Sequence, residues 1–132
     1  MNTPWTFDRF AEDAVIGECT LATDAAQLAS WHAVGGRTAG TDTHLPAGLL
    51  VALSMRGYMT VVTPRPPGNV HGSSILRWGD ASAPVGQPLT ARVRCLGRQL
   101  ARERRWVRLG VELARADGAL VLAHEIKMLW AA

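Results

Sequence analysis

LPAGLLVALSMRGYMT, residues 45–60, is the stretch whose reading decides the fold. Pro46 suits the first turn of a helix, where a missing N–H costs nothing. From Ala47 to about Thr60 the residues are apolar nearly all round, with Gly48, Ala52 and Gly57 interleaved as small ones. A helix of that kind belongs inside a domain and not on its surface. Only Ser54 and Arg56 interrupt the apolar run. Arg56 in such surroundings needs a partner or an exit to water. The run is well short of the ~20 residues needed to span a bilayer.

Working outward toward the N-terminus, residues 37–44 (RTAGTDTH) form a polar loop. Before it, Thr23 or Asp24 caps a helix from Ala25 to about Val34, with Leu28 and Trp31 on one side and Gly35-Gly36 as its stop. Gly17 to Thr23 reads as a short strand. The aromatic entry segment, residues 1–18, mixes Trp5, Phe7 and Phe10 with four acids and Arg9, so no secretory signal is expected there.

Toward the C-terminus, residues 64–68 (PRPPG) break the chain into an extended loop. Everything beyond reads as strand. Ser73 to Trp78 is short. Leu89 to Gly97 alternates, with Leu89, Ala91, Val93 and Cys95 inward and Thr90, Arg92 and Arg94 outward. Trp106 to Arg115 places Val107, Leu109, Val111 and Leu113 on one face. Asp117-Gly118 is a strong hairpin signal. The last strand, Ala119 to Trp130, sets Leu120, Leu122, His124, Ile126, Met128 and Trp130 on one face. His124 among those apolar residues reads as a core histidine with its hydrogen bonds satisfied.

The order of elements predicts an α+β protein, a single domain over residues 1–132. One apolar central helix and a mostly antiparallel sheet of about five strands make two layers around one core. A sheet that nearly surrounds such a helix is the hot-dog arrangement. It leaves an edge, and pairing edges between two copies is the simplest cover, so a homodimer is expected. Hydrophobic residues at 48% and charged residues at 19% are a globular composition. Cys19 and Cys95 match no metal or CxxC spacing and suit a reducing, cytoplasmic compartment.

Charge is uneven. Residues 1–66 hold four Arg against six acids, whereas residues 67–132 hold nine Arg and one Lys against five acids. Eight of those Arg fall between Arg92 and Arg115. Alternation turns most of them to solvent, and no RNA-binding sheet signature accompanies them. No nucleic-acid or membrane partner is expected; phosphates of a coenzyme or carrier protein are the alternative to plain solvation.

Four features together resemble the MaoC-like dehydratases, the hot-dog proteins that include (R)-specific enoyl-CoA hydratases. They are the Gly17 strand running into the Thr23-Asp24 helix, the LPAGLL start of the central helix at residues 45–50, the PGNVHG stretch at 67–72 leading to Leu76-Arg77-Trp78 with VGQPL at 85–89, and the Asp117-Gly118 hairpin before a closing strand. They span about Phe7 to Trp130. Hydratases of this family carry a loop reading roughly Gly-Asp-x-Asn-Pro-x-His, whose Asp and His form the acid/base pair. Here the equivalent loop lacks Asn-Pro, is shortened, and has Asp42 and His44 two apart.

The resemblance implies an acyl-thioester hydratase or dehydratase acting at the α,β bond of an enoyl or 3-hydroxyacyl thioester, with no cofactor beyond the CoA or phosphopantetheine of its substrate. That reaction needs an acid, a base and donors for the enolate oxygen. Asp42 and His44, on the loop before the central helix, are the acid/base candidates. Gly48, in the first turn of that helix, is the oxyanion candidate, because free N–H groups and the helix dipole meet there. For substrate contact the candidates are His32 on the small helix, Arg56 on the central helix, and Asn69 and His71 after the Pro-rich loop. No metal site is expected. Two other functions stay open: a degenerate thioester-binding subunit, paired with a related hot-dog chain, and an acyl-CoA thioesterase. The absence of Asp or Glu between residues 45 and 63 speaks against hydrolysis by a helix carboxylate.

Overall fold

In the computed structural model, which describes residues 3–35 and 43–132, the alternating segments form one antiparallel sheet. Its strands are β1 (Val15–Leu21), β2 (Val70–Trp78), β3 (Leu89–Ala101), β4 (Arg104–Arg115) and β5 (Leu120–Trp130), laid in the order β1-β3-β4-β5-β2. Two helices precede most of it, α1 (Ala25–Val34) and α2 (Ala47–Val61). This is the expected α+β hot-dog architecture.

The inward face of β3 and β4 is built from Ala91, Val93, Cys95, Val107, Leu109, Val111 and Leu113, all fully buried. Helix α2 lies across it, with Leu49, Leu50, Leu53, Ser54, Gly57 and Tyr58 against the sheet. Gly57 is required by this packing, since a Cβ there would sit 2.5 Å from the Ala91 Cβ. Asp24 caps α1 by accepting from the Gln27 N–H at 2.9 Å. At the other end of α2, Arg65 donates to the Met59 and Val62 carbonyls, satisfying oxygens that a helix terminus leaves bare. Phe10 packs edge-on against Trp130 at 5.0 Å, while the Trp130 indole N–H donates to the Trp5 carbonyl, so the entry segment closes one end of the core.

Several expectations need correcting. Helix α2 is not enclosed all round: Ala47, Gly48, Ala52, Arg56, Met59 and Thr60 are exposed, because the sheet covers only one side of it. Arg56 therefore has the exit to water that an apolar helix seemed to deny it. Pro46 stands at the N-cap, one position before the first helical residue. Strand β2 is nine residues long instead of six, and every one of them is exposed. β1 starts and ends two residues earlier than Gly17–Thr23. In β5 a bulge opposite Leu113/Ala114 shifts the register, so Val121 is buried and Leu120 is not. The bulge breaks the strict alternation that placed Leu120 inward.

Candidate functional site

Two regions carry polar chemistry, one at the start of α2 and one on the β2–β5 face. At the start of α2, Leu45 is pinned by its N–H to the Ala83 carbonyl at 2.8 Å, and His44 forms a β-bridge with Pro84. The His44 ring is exposed, with Nδ1 2.9 Å from the Thr43 hydroxyl. Asp42, its expected acid/base partner, lies outside the described residues. Pro46 offers no side-chain cap, so among the described residues the first N–H groups of α2 have no intrahelical acceptor and no capping oxygen from the N-cap. Gly48 occupies the expected first turn, but its open side is filled by Trp31: a Cβ there would meet the Trp31 ring at 2.8 Å. The glycine thus admits an indole from α1, while its N–H stays part of the helix terminus.

Helices α1 and α2 leave a groove of about 200 Å³ between them, lined by Trp31, Val34, Leu49, Ala52 and Leu53, with Arg56 among its polar groups. The Arg56 guanidinium stands 3.5 Å from the Gln27 amide oxygen. A second cavity of about 350 Å³ adjoins Trp31, His32, Gly35 and Pro46. His32 is only 8% exposed. It faces the same corner as Trp31 because α1 lays its C-terminal half over the start of α2.

On the β2–β5 face, His71 and Asn69 separate. The Asn69 side-chain oxygen accepts from the Ala131 N–H at 2.8 Å and so ties the loop before β2 to the chain end. His71 instead joins a hydrogen-bonded chain of four side chains. Its Nε2 is 2.7 Å from the Ser74 Oγ, which is 2.8 Å from the His124 Nε2. The His124 Nδ1 is 2.7 Å from the Ser54 Oγ, and the Ser54 hydroxyl donates to the Val51 carbonyl at 2.7 Å. His124 and Ser54 are 2% and 0% exposed, Ser74 and His71 open to solvent. Burial, with a smaller contribution from His71, holds the His124 imidazole below its ordinary value of 6.5. His124 is the satisfied core histidine expected, but its partners were not anticipated. The register that sets Leu76 opposite His124 places Ser74 diagonally on the same face, and no sequence spacing reveals that.

Among the described residues no group of three His, Cys, Asp or Glu could hold a metal, and no helix is long and apolar enough to cross a membrane. Cys19 and Cys95 are free thiols, each pushed up from the ordinary value by burial.

The architecture is that of the MaoC-like dehydratases and (R)-hydratases. Over 93% of this chain and 94% of the other, it superposes on a MaoC-like dehydratase from Rhodospirillum rubrum with a TM-score of 0.74 at 14% identity. The (R)-hydratase PhaJ1 from Pseudomonas aeruginosa gives 0.74 at 18% identity, over 95% of this chain and 84% of the hydratase. The HadBC 3R-hydroxyacyl-ACP dehydratase complex from Mycobacterium tuberculosis gives 0.70 at 13%, over 89% and 96%. At such identities the likeness is one of fold. No family profile matches the sequence, and no curated protein matches it.

Proposed function

We propose that this chain is an acyl-thioester hydratase or dehydratase acting at the α,β bond of an enoyl or 3-hydroxyacyl thioester. The observation that supports the reading is the apolar groove between α1 and α2, which reaches Leu49 in the first turn of α2, in a hot-dog fold. An acyl chain in that groove has Trp31, Leu49 and Leu53 to pack against, and its thioester oxygen meets the first-turn N–H groups, Gly48 included. Those donors, with the positive end of the helix dipole, stabilise an enolate without reorganising. His44 and Asp42 supply the proton transfers from the preceding loop, and His32 borders the site. Arg56, exposed at the groove, meets a phosphate or carboxylate of the substrate. No resident cofactor enters, since the thioester carries its own pantetheine.

The β2 strand is an edge of the sheet, and its unpaired backbone groups are where two copies pair edge to edge. The same edge supports a second reading, a partner subunit beside a related hot-dog chain, in keeping with HadBC being a complex.

Crotonyl-CoA tests the proposal. Wild type should bleach the enoyl-thioester absorbance and yield the 3-hydroxyacyl thioester by mass, and both His44→Ala and Asp42→Ala should lose this. A wild-type protein that binds CoA esters of several chain lengths yet leaves the enoyl band intact would overturn hydration and leave the partner-subunit reading.

A further inference from the structure

The chain His71–Ser74–His124–Ser54 takes no part in the reaction proposed above, and its protons can be counted. Ser54 has one proton, and we assign it to the Val51 carbonyl, 2.7 Å away. With that assignment the Ser54 Oγ accepts from His124, and the imidazole proton sits on Nδ1. The His124 Nε2 is left with its lone pair aimed at the Ser74 Oγ, 2.8 Å away. Ser74 in turn spends its proton on that nitrogen, so the His71 Nε2, 2.7 Å from the same oxygen, is a donor. An exposed hydroxyl is thus held by a buried base, and the base is oriented by a third group from the central helix. That is the nucleophile–base–orienter arrangement of covalent acyl transfer.

We infer that Ser74 is a nucleophile for acyl transfer, with His124 as its base and Ser54 as a positioning residue. The acyl donor class, a thioester, is taken from the proposed function; the nucleophile itself does not depend on it. The Ser74 Oγ adds to the thioester carbonyl as its proton passes to the His124 Nε2. The C–S bond breaks, and the leaving thiolate takes a proton from the imidazolium. Water, deprotonated by the neutral His124, then cleaves the acyl-Ser74 ester and releases the carboxylic acid with Ser74 restored. His71, on the far side of the hydroxyl, supplies an N–H to the charge that develops beside it. Because Ser74 lies on β2 and Ser54 on α2, this site is built without residues 36–42.

The test uses an alkyl fluorophosphonate on the intact protein, read by intact mass and peptide mapping. Wild type should form one adduct, on Ser74. Ser74→Ala, which removes the nucleophile, should form no adduct. The neighbouring Ser73→Ala, which strand alternation places on the other face from Ser74, should react as wild type does. Ser54→Ala should slow labelling and Ser54→Thr, which keeps the hydroxyl, should restore it. If buried substitutions at 54 or 124 unfold the chain, the exposed Ser74→Ala still decides the matter. No adduct, an adduct on another residue, or undiminished labelling of Ser74→Ala overturns the assignment. Labelling needs no thioester and no Asp42, so its failure leaves hydration standing, and a silent enoyl assay leaves Ser74 standing.

Discussion

At the start of α2 the polar groups are backbone N–H donors and a His44 ring held on an exposed loop. On the β2–β5 face they are side chains, linked oxygen to nitrogen from the Val51 carbonyl out to His71. The first region suits a substrate whose oxygen gains charge while its carbon changes hybridisation. The second suits a hydroxyl that must lose a proton and attack. The two differ also in how they are held. His44 is fixed mainly by its backbone bridge to Pro84, whereas His124 is buried and locked at both ring nitrogens. One domain thus carries a donor-rich groove beside a preorganised acid–base chain, on opposite sides of the same helix surface.

The contrast can be broken by substitution. The largest effect expected is on Ser74→Ala, which should abolish serine labelling and leave the enoyl reaction of wild type in place. His44→Ala should do the reverse, with a loss of about 10²–10⁴ in hydration rate, the usual span for an acid–base group. Gly57→Ala touches neither region directly. Its Cβ cannot coexist with that of Ala91 at 2.5 Å, so denaturant unfolding should show a loss of about 1–3 kcal/mol. Asp24→Ala removes the cap of α1 and should cost about 1 kcal/mol in the same measurement.

The mildest effect is a slope with pH. His124 is held below 6.5 by burial and then by His71, so the folded protein resists a proton that the unfolded chain accepts. Stability from this group is complete above pH 6.5 and is lost as pH falls through the lower folded value. Arg77, Arg94, Glu112 and Glu125, around the outer side of the strand at His124, are the other charges in its surroundings. His124→Gln should flatten the slope of unfolding free energy between pH 7 and 5. An unchanged slope would place the titration elsewhere.

Strands β3, β4 and β5 were legible because one covered face and one wet face impose a period of two, and the residues obey it from Leu89 to Cys95 and from Val107 to Leu113. The central helix was legible from its apolar run, but its exposed side was not. A sequence shows how apolar a helix is, and not how far the sheet reaches around it. Strand β2 was legible only from Ser73 onward, because an edge strand with a bulge at His71/Ser73 has no covered face to impose alternation on its first residues. His44 and Gly48 could be placed beside α2 from chain order alone. Ser54 read as a mere interruption in an apolar run, and Ser74 as one polar residue of a short strand. Their link through His124 spans 70 and 50 residues of sequence and exists only through packing and strand register.

The most direct measurement records the 3-hydroxyacyl-CoA product by mass and free-thiol release together, on crotonyl-CoA, for wild type, His44→Ala and Ser74→Ala. Two separate centres predict that His44→Ala keeps thiol release and loses the 3-hydroxyacyl-CoA product, and that Ser74→Ala keeps that product and loses thiol release. If either substitution removes both signals from a folded protein, or neither changes anything, the division of chemistry between the two regions is wrong.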